Sequence, residues 1–155
     1  GQKDPSTKLI LEIKKHATPQ RETQVVEAIL RLAREMRLVP QIEFISFSRH
    51  ACDEVLRLQP DAVVVYVSSD MAAMSPAEAK KRGYGGLSYQ LNVLMNRPEL
   101  VDEANRLGIA TTLWMVNDCE LIDWAARHGI TYVSTDCPDK AEAYLEAVAA
   151  YKNKK

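Results

Sequence analysis

The chain has 155 residues, 46% of them hydrophobic and 26% charged, and 20 Lys and Arg against 21 Asp and Glu leave a formal net charge of −1. That is ordinary composition for one globular domain with enough chain to bury a sizeable core, and it excludes a wholly disordered chain. Near-zero charge argues against nucleic acid as a partner, and no apolar run approaches the roughly 18 residues of a membrane span.

Short β-rich runs alternate with amphipathic helical stretches. The first run is Leu9-Ile10-Leu11-Glu12-Ile13-Lys14. Thr18-Pro19 then supplies a cap and a proline at the first helical position. Val25, Val26, Ile29, Leu32, Ala33 and Met36 recur at helical spacing. The second run is Ile42–Phe47, and Ser48 caps a helix that turns Cys52, Val55 and Leu56 inward. The third, Ala62–Val67, is the strongest buried-strand signal. Ser75-Pro76-Ala77-Glu78 reads as a capping box, and Gly83 stops that helix.

The fourth run, Gly86–Tyr89, is followed by a helix from Pro98 to Leu107 that ends at Gly108. The fifth is Ala110–Val116; Asn117 and Asp118 suit a cap, with Leu121, Ile122, Ala125 and Ala126 inward and Gly129 at the end. The sixth is Thr131–Ser134, and a last helix from about Pro138 carries Tyr144, Leu145 and Val148 before fraying is expected over Lys152–Lys155. Repeated strand–helix units with short connections predict a parallel sheet with right-handed crossovers. Residues 1–155 read as a single domain. An open doubly wound sheet and part of a (βα)8 barrel, whose usual length of about 250 residues exceeds this chain, both fit the pattern.

Cys52, Cys119 and Cys137 form neither a disulfide framework nor a metal pattern. His16, His50 and His128 lie far apart, and no paired-histidine zinc helix exists. The polar start, Gly1–Lys8, shows no signal peptide, and the sequence assigns no compartment. No Gly-rich phosphate loop and no nucleophile elbow is present. In either architecture function gathers at the C-terminal strand ends.

Among those ends Glu12 and Lys14 are the sharpest pair. Their i, i+2 spacing puts both on one side of a strand whose Leu11 and Ile13 face the other way. A carboxylate there suits a hard divalent cation, and an ammonium suits a phosphate; a structural ion pair is the bland alternative. His16, in the loop beyond, is the weak catalytic candidate. Trp114 is either a core aromatic or one wall of a ligand pocket.

Leu9–Lys14, Thr18-Pro19-Gln20-Arg21-Glu22, Ile45-Ser46-Phe47, Gly86–Tyr89, Pro98–Val101, Leu113–Asp118 and Ser134–Asp139 stand in an order and spacing that resembles the glycerophosphodiester phosphodiesterase family, from about Lys8 to Tyr144. The resemblance implies an α/β fold, an incomplete (βα)8 TIM barrel of about six parallel strands with outer helices. It also implies metal-dependent hydrolysis of a small glycerophosphodiester to glycerol 3-phosphate and an alcohol. By that resemblance Glu12 is a metal ligand for Ca²⁺ or Mg²⁺. Lys14 contacts phosphate, and Phe47, Tyr89 and Trp114 contact the rest of the substrate. Ser88 and Gln90 stand where the family often has Asp and His. The family's His-Arg-Gly strand end, Glu-x-Asp strand end and His-Asp pair do not occur in this chain, so its strands correspond to barrel strands three to eight. The resemblance then implies that the first two strands are lacking, that metal is weakly bound, and that this chain is inactive alone. The rival reading is a non-catalytic module that self-associates or binds a partner through exposed strand edges. An unrelated open-sheet protein with a phosphorylated ligand is the third.

Overall fold

The computed structural model describes residues 7–152. Residues 1–6 and 153–155 lie outside it, so the polar start and the expected fraying beyond Lys152 fall largely outside the described residues. Six strands, β1 (Leu9–Glu12), β2 (Ile42–Ser46), β3 (Val63–Ser68), β4 (Gly86–Gln90), β5 (Ala110–Trp114) and β6 (Tyr132–Val133), form one sheet in sequence order with every pairing parallel. An order that never reverses belongs to a singly wound, barrel-like sheet and not to a doubly wound one. The sheet is left open: among the described residues β1 pairs with β2 alone and β6 with β5 alone.

The crossovers are α1 (Pro19–Glu35), α2 (Arg49–Leu58), α3 (Pro76–Arg82), α4 (Leu91–Asn96), α5 (Glu99–Leu107) and α6 (Cys119–Arg127), with α7 (Pro138–Lys152) last. Their starts follow the cap chemistry of the sequence. Thr18, Ser48, Ser75 and Asp118 each accept a backbone N–H three residues on. Gly83 and Gly108 take the left-handed conformation that ends α3 and α5, at φ 81° and 68°.

Alternation splits each strand between two faces. Phe44, Val64, Leu87, Tyr89 and Leu113 point at the helices and are 0–1% exposed. Val26, Leu30 and Ala33 meet them from α1. The opposite face carries Ile10, Ile45, Val65, Ser88, Thr112 and Tyr132 around an open hollow of about 440 Å³.

One expectation is corrected and two elements are added. Leu32 and Met36 are both 56% exposed at the rim of α1, while Val26 and Ala33 of the expected set are buried with Leu30, and Val25 and Ile29 pack against the core. The short helix α4 was not legible, because Gln90 makes no side-chain cap bond and Leu91–Asn96 is barely two turns. A 3₁₀ turn, Val39–Gln41, also precedes β2.

Candidate functional site

The C-terminal ends of β1, β2 and β5 converge on a cleft of about 200 Å³ whose walls include Glu12, Phe47, Trp114 and Met115. Parallel pairing aligns these ends, and register sets which side chains face in. Glu12 lies opposite Ile45, and Trp114 opposite Gln90. Phe47 and Trp114 meet edge to face, ring centroids 6.0 Å apart at 85°. The peptide bond between Trp114 and Met115 is cis.

Lys14 Nζ lies 2.8 Å from Glu12 Oε2, its side chain 75% exposed against 28% for Glu12. The i, i+2 expectation therefore holds in geometry: Ile13 between them is 1% exposed in the core while both charges lie on the other side. Glu12 Oε1 and Trp114 Nε1 are buried without hydrogen-bond partners. Both belong to residues that line the cleft, so it offers one spare acceptor and one spare donor among apolar walls.

Tyr89 is placed elsewhere. It is 0% exposed on the helix-facing side, its hydroxyl donates to the Met74 carbonyl, and burial pushes its phenol up. Strand parity explains this: Tyr89 pairs in register with Leu113, while Gln90 pairs with Trp114. His16 is half-buried, is not among the cleft's lining residues, and its backbone N–H donates to Glu22 Oε1. His50 Nε2 bonds Thr23, and His128 stacks on Trp124 at 4.1 Å. Neither belongs to the cleft.

Ser88, singled out in the sequence, and Ser134 add hydroxyls to the cleft wall. One feature escaped sequence reasoning. Glu22, 3% exposed, holds two segments that flank the site. The signal for Glu22 was a carboxylate in line with Val26 and Leu30 on the buried stripe of α1. At the other end Asn117 Oδ1 accepts from the Thr135 hydroxyl and the Asp136 N–H, at 3.1 and 2.9 Å, tying the loops after β5 and β6 together.

A divalent cation of the Ca²⁺ or Mg²⁺ kind asks for several oxygen ligands. The described residues offer Glu12 Oε1 as one free carboxylate oxygen, and among them no group of three or more His, Cys, Asp or Glu could hold a metal ion. The fit is partial.

Comparison with known proteins bears on the family and the fold. The model of the glycerophosphoryl diester phosphodiesterase family matches residues 4–140. The crystal structure of a glycerophosphodiester phosphodiesterase from Parabacteroides distasonis is similar at a TM-score of 0.86 and 32% identity, over 92% of this chain and 58% of that one. An Oleispira antarctica phosphodiesterase in complex with the product sn-glycerol-3-phosphate shares the fold, at a TM-score of 0.72 and 16% identity, over 86% of this chain and 53% of its own. "Probable glycerophosphodiester phosphodiesterase 1" of Mycobacterium tuberculosis is 28% identical over 101 residues, 65% of this chain and 37% of that protein. The chain thus spans between about a third and three-fifths of the length of these relatives. It belongs to the glycerophosphoryl diester phosphodiesterase family, and its six parallel strands and helices are an open half-barrel of that family's TIM-barrel fold.

Proposed function

We propose that this chain is the part of a glycerophosphodiester phosphodiesterase that receives the phosphate and the glycerol side of a small phosphodiester. The observation that carries the reading is the meeting of Glu12, Phe47 and Trp114 from three separate strand ends at one cleft, with the exposed Lys14 ammonium paired to Glu12 beside it. Lys14 places a mobile positive charge where a phosphoryl oxygen develops negative charge. Phe47 and Trp114 exclude water from the carbon skeleton. The indole N–H of Trp114 is the spare donor for a substrate hydroxyl.

Glu12 supplies one ligand of a divalent cation, and such a cation would neutralise phosphoryl charge when bound. One carboxylate is too few ligands, so metal binding by this chain is weak. Among the described residues no histidine lines the cleft to serve as general acid or base, each such role being worth about 10²–10⁴-fold. The reading is therefore that the two open sheet edges stand where the barrel's first two strands belong, and that the chain alone is inactive.

Glycerophosphocholine turnover with Mg²⁺ or Ca²⁺ tests this. The 155-residue chain should stay at background. Joined to the N-terminal segment of the Parabacteroides distasonis enzyme, it should gain metal-dependent turnover that Glu12→Ala abolishes. Strong turnover by the chain alone would locate the catalytic groups elsewhere, His16 first. Full turnover in the joined Glu12→Ala protein would leave Glu12 as a structural charge.

A second reading rests on the sheet edges. Ile10 and Tyr132, 53% and 55% exposed on the edge strands, make the half-barrel a template for self-association or partner binding.

A further inference from the structure

Glu22 is a buried charged side chain that the proposed site leaves without a role. It stands in the first turn of α1, 3% exposed, in line with Val26 and Leu30. Burying a carboxylate is costly unless its oxygens are hydrogen-bonded. Both are: Oε1 accepts from the His16 N–H at 3.0 Å, and Oε2 from the Ser48 hydroxyl at 2.6 Å. The bonds continue. The Ser48 N–H donates to Ser46 Oγ at 3.0 Å, and the Ser46 hydroxyl donates to the Ile13 carbonyl at 2.7 Å. Ser48 Oγ also accepts from the Ala51 N–H at 3.2 Å, which anchors it at the start of α2.

This network runs from Ile13 through Ser46, Ser48 and Glu22 to His16. It grips the backbone on both sides of Lys14, and it grips both neighbours of Phe47. The Lys14 side chain is 75% exposed and its ion-pair partner is Glu12, so the restraint on this residue comes from its flanks. Charge-assisted bonds to a desolvated carboxylate are the strong kind.

We infer that Glu22 is a positioning residue: through His16 and Ser48 it sets where Lys14 stands relative to the Phe47 wall. The inference rests on the reading of Lys14 as the phosphate contact. A merely structural role would lower the stability of a Glu22 variant without changing the ligand affinity of its folded form. Gln at this place can accept from the His16 N–H through its carbonyl and donate to Ser48 Oγ through its amide, so it keeps the stitch without the charge.

The test uses the ¹⁵N-labelled full chain and its Glu22→Ala, Glu22→Gln and Lys14→Ala variants. Amide exchange at His16 is measured, sn-glycerol 3-phosphate is titrated against the Lys14 and Phe47 amides, and urea unfolding gives global stability. The unsubstituted chain should shift at both amides, and Lys14→Ala should not bind. Glu22→Ala should speed His16 exchange and weaken sn-glycerol 3-phosphate by about tenfold each, while Glu22→Gln stays within about threefold. If Glu22→Ala does not fold, Ser48→Ala, which removes one of the two bonds to the carboxylate, should weaken binding by about threefold. Unchanged affinity in the folded alanine variant, or equal losses for Ala and Gln, overturns the positioning role while Lys14 keeps its own. An unsubstituted chain that gives no shift at Lys14 overturns the functional reading, and this inference with it.

Discussion

Tyr89 and Trp114 both sit near the ends of neighbouring parallel strands, and they serve opposite faces of the same sheet. Tyr89 is sealed among helices with its hydroxyl on the Met74 carbonyl; Trp114 stands half-buried at the cleft against Phe47. One residue of register separates them, since Gln90, not Tyr89, pairs with Trp114. Strand alternation thus divides the molecule into a helix-facing side that supplies stability and a hollow side that presents polar groups, exposed edges and two unpartnered atoms.

The largest effect should break this symmetry of aromatics. Tyr89→Ala should cost about 3–5 kcal/mol in urea unfolding, the price of emptying a fully buried aromatic site, while Trp114→Ala should cost less than about 2 kcal/mol. Tyr89→Phe should cost about 1–3 kcal/mol by leaving the Met74 carbonyl without its donor. Equal losses at Tyr89 and Trp114 would erase the distinction between the faces.

Cys52 sharpens the same contrast. Burial, with Asp53 adding repulsion, pushes its thiol from 9.0 up to about 12, whereas Cys119 is exposed. A raised folded value means that the folded chain holds this proton more tightly than the unfolded chain. The contribution is therefore complete below pH 9.0 and is lost as pH rises towards about 12. Unfolding midpoints should fall above pH 9, and iodoacetamide at pH 8.5 should modify Cys119 in the native chain but Cys52 only after unfolding. Rapid native labelling of Cys52 would contradict its place in the core.

Smaller effects follow at the helix starts and the edge. Ser75→Ala should cost about 1 kcal/mol by removing the acceptor for the Glu78 N–H, read again by urea unfolding. Ile10→Lys, on the exposed edge of β1, should change stability by less than about 0.5 kcal/mol. It should also lower any concentration-dependent association seen by light scattering. Association that survives this substitution would place the contact away from that edge.

Much of the fold was legible in the sequence because caps and strand runs carry local signals. Thr18, Ser48, Ser75, Gly83, Gly108 and Asp118 do in the structure what their residue types predict. Helix α4 was not legible, since six residues without a cap bond carry little pattern. Leu32 and Met36 show the limit of helical spacing: an apolar residue at the rim of a stripe is indistinguishable from one at its centre until the neighbour is placed. At the site, the side shared by Glu12 and Lys14 follows from spacing within one strand. The meeting of Phe47 with Trp114 does not, because inter-strand register lies in no single segment. Family resemblance assigns Tyr89 to the substrate, and alternation along β4 turns it to the helix-facing side instead. Glu22 escaped notice because its partners, His16 and Ser48, lie on two different loops.

The two tryptophans offer the most direct test that the hollow side is the functional one. Trp114 Nε1 is buried and unpartnered at the cleft, while Trp124 lies on α6 and stacks on His128 at 4.1 Å. In a ¹H–¹⁵N spectrum of the full chain each indole gives its own signal. Titration with sn-glycerol 3-phosphate should move the Trp114 indole and leave Trp124 in place. A shift at Trp124 with Trp114 unmoved, or no shift at either, would contradict the account.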